Sequence, residues 1–110
     1  MKVDIKGHTT IIKDTQGDIL AFLEKITQQH ASYKDQNLIL DVSHDKSVAI
    51  SSIKLFTDLS KQHKKGKKSF VIVAEDIDFN AIPKTLVVVP SVLEAHDIIE
   101  MEEIERDLGF

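Results

Sequence analysis

A chain of 110 residues holds one domain, long enough to bury roughly 60–70% of its extended surface and too short for two independent cores. Hydrophobic residues at 42% and charged residues at 29% are ordinary globular values, and two Pro with four Gly leave no room for a linker or low-complexity tract. The lack of Cys excludes disulfides, thiolate metal sites and cysteine nucleophiles, and a net charge of −4 gives no global field favouring nucleic acid.

In chain order, Val3–Lys6 and Thr9–Asp14 are short β-prone stretches separated by Gly7-His8, which predicts a hairpin or a bent first strand pair. Asp18 follows Gly17 as an N-cap, and Ile19, Phe22, Leu23 and Ile26 recur at the spacing of an amphipathic helix that should run to about His30. Tyr33–Gln36 reads as a polar turn. Leu38-Ile-Leu-Asp-Val42 is then a strand apolar on both faces, ending at Ser43-His-Asp-Lys-Ser47. From Val48 the period becomes helical, with Ile50, Ile53, Phe56 and Leu59 inward and Lys54, Asp58, Lys61 and Gln62 outward. Gly66 is the expected C′ residue behind a lysine-rich last turn.

Phe70–Ala74 is the next apolar strand, and Glu75–Pro83 predicts a single turn of helix or 3₁₀ with Phe79 and Ile82 turned inward. Thr85–Val89 is the last strand. Pro90-Ser91 opens the final helix, with Ser91 as N-cap and Glu94 three residues on in a capping-box pattern. Val92, Ala95 and Ile99, continued by Met101, Ile104 and Leu108, make that helix longer than one sheet edge needs, so residues 100–110 form a candidate projecting end. Strands apolar on both faces require helices on both sides of a mostly parallel sheet, and the expected order is β-β-α-β-α-β-α-β-α in one α/β domain with right-handed crossovers.

Little in the chain assembles into chemistry. Of His8, His30, His44, His63 and His96, only His44 has a second potential ligand beside it, Asp45, so the spacing predicts no metal site. Ser43, His44 and Asp45 are consecutive and cannot adopt triad geometry, and four scattered Gly form no phosphate cradle. No catalytic residue, metal or cofactor is therefore expected. The opening Met-Lys-Val-Asp-Ile lacks the apolar core of a signal peptide, and no apolar run nears the roughly 20 residues that cross a bilayer, so the expected address is the cytoplasm.

Three features remain. Lys61, Lys64, Lys65, Lys67 and Lys68 form a candidate anion or RNA patch, without aromatics to interleave between bases. Glu94 to Asp107 carries seven carboxylates, and Met101, Ile104 and Leu108 leave an apolar stripe there without an evident intramolecular partner. In parallel sheets the loops at the carboxyl ends of the strands form the working rim, which here holds Ser43, His44, Asp45, Lys46 and Ser47 as a candidate partner-binding edge and Ser51 and Ser52 as candidate phosphorylation sites.

The Leu38-Ile-Leu-Asp-Val-Ser43 strand, the Lys65-Gly-Lys-Lys-Ser-Phe-Val-Ile-Val73 segment and the Val89-Pro-Ser-Val-Leu-Glu-Ala95 start of the last helix together resemble a STAS domain, the fold of anti-sigma-factor antagonists, over roughly Asn37 to Ile99. That resemblance implies a non-enzymatic, regulatory protein-interaction domain released from its partner by phosphorylation of a serine or threonine where the third strand meets the second helix. The family reads aspartate, serine, serine or threonine, then glycine at that junction. Here the chain reads Val48-Ala-Ile-Ser-Ser-Ile53, with no acid before the serines and no Gly after them, so the switch is degenerate or absent.

The Glu100-Met-Glu-Glu-Ile-Glu-Arg-Asp-Leu108 tail is similar to that of small bacterial proteins often labelled ribonuclease Z. The tRNA 3′-end nuclease of that name needs a two-metal site built on a His-x-His-x-Asp-His cluster, which this chain lacks. The second resemblance therefore implies at most an accessory role in tRNA processing.

Overall fold

The computed structural model of the chain describes residues 1–46 and 48–109; Ser47 of the expected rim lies outside the described residues. The elements are β1 (Lys2–Lys6), β2 (Thr9–Lys13), α1 (Ile19–Tyr33), β3 (Asn37–Asp41), α2 (Ile50–Lys54), α3 (Thr57–Lys65), β4 (Phe70–Val73), a 3₁₀ turn (Phe79–Ala81), β5 (Val87–Val89) and α4 (Val92–Asp107). The sheet order is β1-β2-β3-β4-β5, with β1 antiparallel to β2 and the other three pairs parallel. The chain is thus α/β with a mixed, mostly parallel sheet.

The apolar runs divide by parity, because successive strand side chains point to opposite faces. Leu38, Leu40, Phe70 and Ile72 join Ile12 and Leu86 in a core closed by Ile19, Phe22 and Ile26 of α1, Ile53 of α2, and Phe56 and Leu59 at the start of α3. Ile39, Val71 and Val73 face the other way, onto Ala95 and Ile99 of α4. Each such side chain, taken fully from water, contributes about 1.5–3 kcal/mol, which is why both faces of β3 and β4 must be covered. β1 lies outside both cores, and all five of its residues are exposed.

The caps follow the sequence. Asp18 accepts from the Ala21 N–H at 3.1 Å and Ser91 from the Glu94 N–H at 3.2 Å. Gly7, at φ 59°, supplies the positive angle of the two-residue hairpin turn. Helix α1 runs three residues past His30, to Tyr33, whose hydroxyl donates to Gln29 Oε1 one turn back at 3.1 Å.

The helix expected over Val48–Lys65 is broken in two. The Thr57 hydroxyl donates to the Lys54 carbonyl at 2.7 Å, while the Leu55 and Phe56 N–H groups fall back on the carbonyls three residues earlier, at 3.2 and 3.0 Å. Phe79, expected inward, is 39% exposed: Ile82 leaves the 3₁₀ turn for extended backbone, and Ile77 and Ile82 pack against the core while Phe79 rides the crest.

The end of α3 also departs from expectation. Gly66 stops the helix at φ −80°, and the left-handed residue is Lys67, at φ 62°. A side chain in that region costs about 1–2 kcal/mol, and Lys67 is exposed, so Lys67→Gly removes strain without removing packing. The expected result is a gain of up to about 1 kcal/mol in urea unfolding, and an unchanged or lower midpoint would contradict it.

Candidate functional site

Three regions could meet a ligand or partner. The first is the carboxyl rim. Buried Asp41 ends β3, and its Oδ1 accepts both the Ser43 N–H at 2.9 Å and the Ser43 hydroxyl at 2.6 Å, so this serine is tied to the sheet. The Asp45 N–H donates to the Val42 carbonyl at 3.2 Å, completing a tight turn, and His44 on that turn is exposed. Lys46 reaches across to Glu75 beyond β4 at 2.6 Å, and the carboxylate's hydrogen bond holds the ammonium above its ordinary pKa. Ser51 and Ser52 fall in the first turn of α2, Ser51 exposed and Ser52 half-buried. Asp14, Asp41, Asp45, Glu75, Asp76 and Asp78 make the rim acidic. Buried Asp14 accepts from the Gln16 N–H at 3.0 Å through Oδ1, while its Oδ2 has no hydrogen-bond partner among the described residues.

The second region is at the other end of the strands, between the ends of α1 and α3. A cavity of about 500 Å³ is lined by residues that include Gln28, Lys34, Asp35 and Gln62, with His30 and His63 at its floor. His30 Nε2 lies 2.9 Å from His63 Nδ1, and His63 Nε2 lies 2.7 Å from the Gln36 carbonyl. A carbonyl only accepts, so the His63 proton is on Nε2; its Nδ1 then accepts from His30 Nε2–H. Both rings are neutral in this chain of donors. Burial, with further lowering by His30 and Lys68 against the raising effect of the Gln36 carbonyl, brings the His63 pKa down to about 4. Burial and then Lys34 lower that of His30.

The sequence reading weighs these two histidines only for metal-ligand spacing and misses their pairing. The signal was present in the period. His30 is the next position of the Phe22–Ile26 stripe and His63 the next of the Phe56–Leu59 stripe, so both belong on buried faces. Two imidazoles already bonded to each other do not make a metal centre, and among the described residues no group of three or more His, Asp or Glu side chains could hold an ion.

The third region is α4. Its inner face presents Val92, Ala95, Ile99 and Arg106 to the sheet, and the guanidinium donates to Ser69 Oγ at 3.2 Å and to Asn37 Oδ1 at 3.4 Å. The helix thus stays seated on the sheet well past Ile99. Its outer face carries Leu93, Met101, Ile104 and Leu108 at 72, 61, 53 and 67% exposure. That stripe runs about 22 Å along the axis at about 1.5 Å per residue. Asp97 falls within that face and Glu94, Glu100 and Glu105 flank it, without an ion pair among the described residues.

The lysines of the candidate anion patch line two depressions that share Lys64. Lys61, Lys64 and Lys65 line one depression with Thr85, and the Lys64 ammonium donates to the Thr85 carbonyl at 3.1 Å. Lys67 and Lys68 line another, of about 330 Å³, together with Lys64, Arg106, Glu102 and Glu105. A phosphate backbone crossing that corner would meet both carboxylates.

No helix of the described residues is long and apolar enough to cross a membrane. Neither a family model nor a curated protein matches the chain.

Proposed function

We propose that this chain is a non-catalytic, STAS-like protein-interaction domain that binds another protein through the outer face of α4, with the Ser43–Ser52 rim as a second contact. The observation that carries this reading is the stripe of Leu93, Met101, Ile104 and Leu108, each more than half exposed on a helix whose opposite face is already seated on the sheet. Apolar side chains spaced along one exposed helix face favour a protein partner, since burying them is their one gain from contact. The STAS-like reading draws support from the mixed sheet, in which an antiparallel first strand precedes four parallel strands in sequence order. It draws support as well from the motifs at Leu38–Ser43 and Val89–Ala95. The exposed Ser51 leaves a phosphate acceptor at the rim, though without the family's flanking acid and glycine the interaction is constitutive in this reading.

The triple variant Met101→Gln, Ile104→Gln, Leu108→Gln tests it, because none of these residues belongs to either core and stability should change by less than about 0.5 kcal/mol. Proteins retained by the immobilised wild-type chain from cytoplasmic extract should be lost from the variant while both unfold at the same urea concentration. Equal retention by both chains would refute the α4 surface. Retention of RNA alone, falling steeply with salt, would favour the accessory role in tRNA processing instead.

A further inference from the structure

β1 is a free edge of the sheet. Its one neighbour is β2, and no other strand or loop bonds its outer backbone among the described residues. Such an edge presents a row of N–H and C=O groups ready to pair, and proteins commonly blunt it with charged side chains, lysine above all. This edge carries both signs. Lys2, Asp4 and Lys6 alternate with Val3 and Ile5, which are 44 and 64% exposed. Val3 and Ile5 pair across β1 and β2 with Ile12 and Thr10, on the face of the larger core, so the charged residues occupy the α4 face.

Two copies of a strand related by a twofold axis pair antiparallel, and the centre of symmetry fixes every contact. Centred on Asp4, the pairing would set Asp4 against Asp4 of the partner subunit and Lys2 against Lys6 of the partner subunit, like charges directly opposite throughout. Centred on Ile5, it would draw the hairpin turn Gly7-His8 into the ladder, where Gly7 at φ 59° cannot serve as strand. Centred on Val3, every pair is complementary. Lys2 meets Asp4 of the partner subunit twice over, Val3 meets Val3 of the partner subunit, and Met1 meets Ile5 of the partner subunit twice over. Met1 already packs against the larger core, so the apolar pairs extend that core across the axis.

We propose that a second copy of this chain pairs with β1 in the Val3-centred register, joining the two sheets into one of ten strands. The interface is a single short strand, at the small end of specific contacts, so the dimer is weak, with a Kd on the order of 10 µM. It leaves the α4 stripe free in both subunits, and so does not depend on the function proposed above.

Sedimentation equilibrium at low salt, over 1 to 500 µM and with any tag at the carboxyl end, decides the matter. The apparent mass should rise from 12.4 kDa toward twice that value. Asp4→Lys and Lys2→Asp should each remain monomeric, because each puts like charges opposite one another twice. An equimolar mixture of the two variants should regain the dimer, since each then carries the charge its partner lacks. Both substitutions are on exposed side chains, and circular dichroism with thermal melting verifies the fold. A mass of 12.4 kDa at every concentration would overturn the proposal, and so would a dimer that survives either single variant or a mixture that stays monomeric.

Discussion

Acidification from pH 7 to pH 4 should remove about 3 kcal/mol of folding stability through His63, about 2 of it before pH 5. In the unfolded chain this imidazole takes a proton near its ordinary pKa of 6.5, whereas in the folded chain burial delays the step to about 4. A depressed folded-state pKa means that the unfolded state binds more protons throughout that interval, so the contribution is complete above 6.5 and lost as pH falls through 4. His30 acts in the same direction, its pKa lowered by burial and by Lys34. Geometry accounts for the cost of charging the pair. A proton arriving at His63 Nδ1 sets donor against donor where His30 Nε2–H had bonded, and only the Nε2–H bond to the Gln36 carbonyl remains to hold the cation, with Lys34 and Lys68 nearby. Against a typical domain stability of about 5–15 kcal/mol, 3 is a large share. Urea unfolding at pH 7, 6, 5 and 4 measures it. His63→Gln lacks the titrating group, so its stability should fall by less than half as much over the same range. Parallel curves for the two proteins would assign the acid lability to groups other than His63.

Much of this architecture was legible because each strand's two-sided apolar run and each helix's stripe states which faces are covered. Leu38–Val42 and Phe70–Ala74 place the two cores on opposite sides of the sheet, and the even-odd division of Phe70, Val71, Ile72 and Val73 between them follows from the pleat. Asp18 and Ser91 announce their helices through side-chain oxygens that find the N–H three residues on. What resisted reading were competitions settled by one local bond. The Thr57 hydroxyl takes the Lys54 carbonyl and divides a helix whose apolar period continues unbroken through the gap. The chain turns left-handed at Lys67 beside a glycine better suited to it, because Gly66 closes the helix by donating to the His63 carbonyl at 3.1 Å.

At the candidate site the division is similar. The unpartnered apolar stripe of Met101, Ile104 and Leu108 could be read from spacing once the inner face was assigned to Ala95 and Ile99, whereas the extension of that stripe to Leu93 required the helix orientation. The histidine cavity could not be read, since it depends on how far α1 and α3 run before they turn. A stripe predicts that His30 and His63 are buried, but only the crossing of two helices brings them within 2.9 Å.

Phe56→Ala should cost about 3–5 kcal/mol, the largest effect of any single truncation expected here. Phe56 has no exposed surface and sits at the break between α2 and α3, where it packs in the core with Ile53 and Leu59. Helix α2 is only five residues long, and an isolated segment of that length has no stability of its own, so it holds its place through Ile53 and the following ring. Removing the ring therefore opens a cavity and loosens the first turn that presents Ser51. Leu55 is the internal reference: it is adjacent, similar in size and 56% exposed, and Leu55→Ala should cost less than about 1 kcal/mol. Urea unfolding of both variants measures the contrast, and amide exchange over Ile50–Lys54 should accelerate in Phe56→Ala alone. Equal costs at the two positions would mean that the break is a flexible joint, and the rim at Ser43–Ser52 would then be held by the sheet through Asp41 and not by the helix behind it.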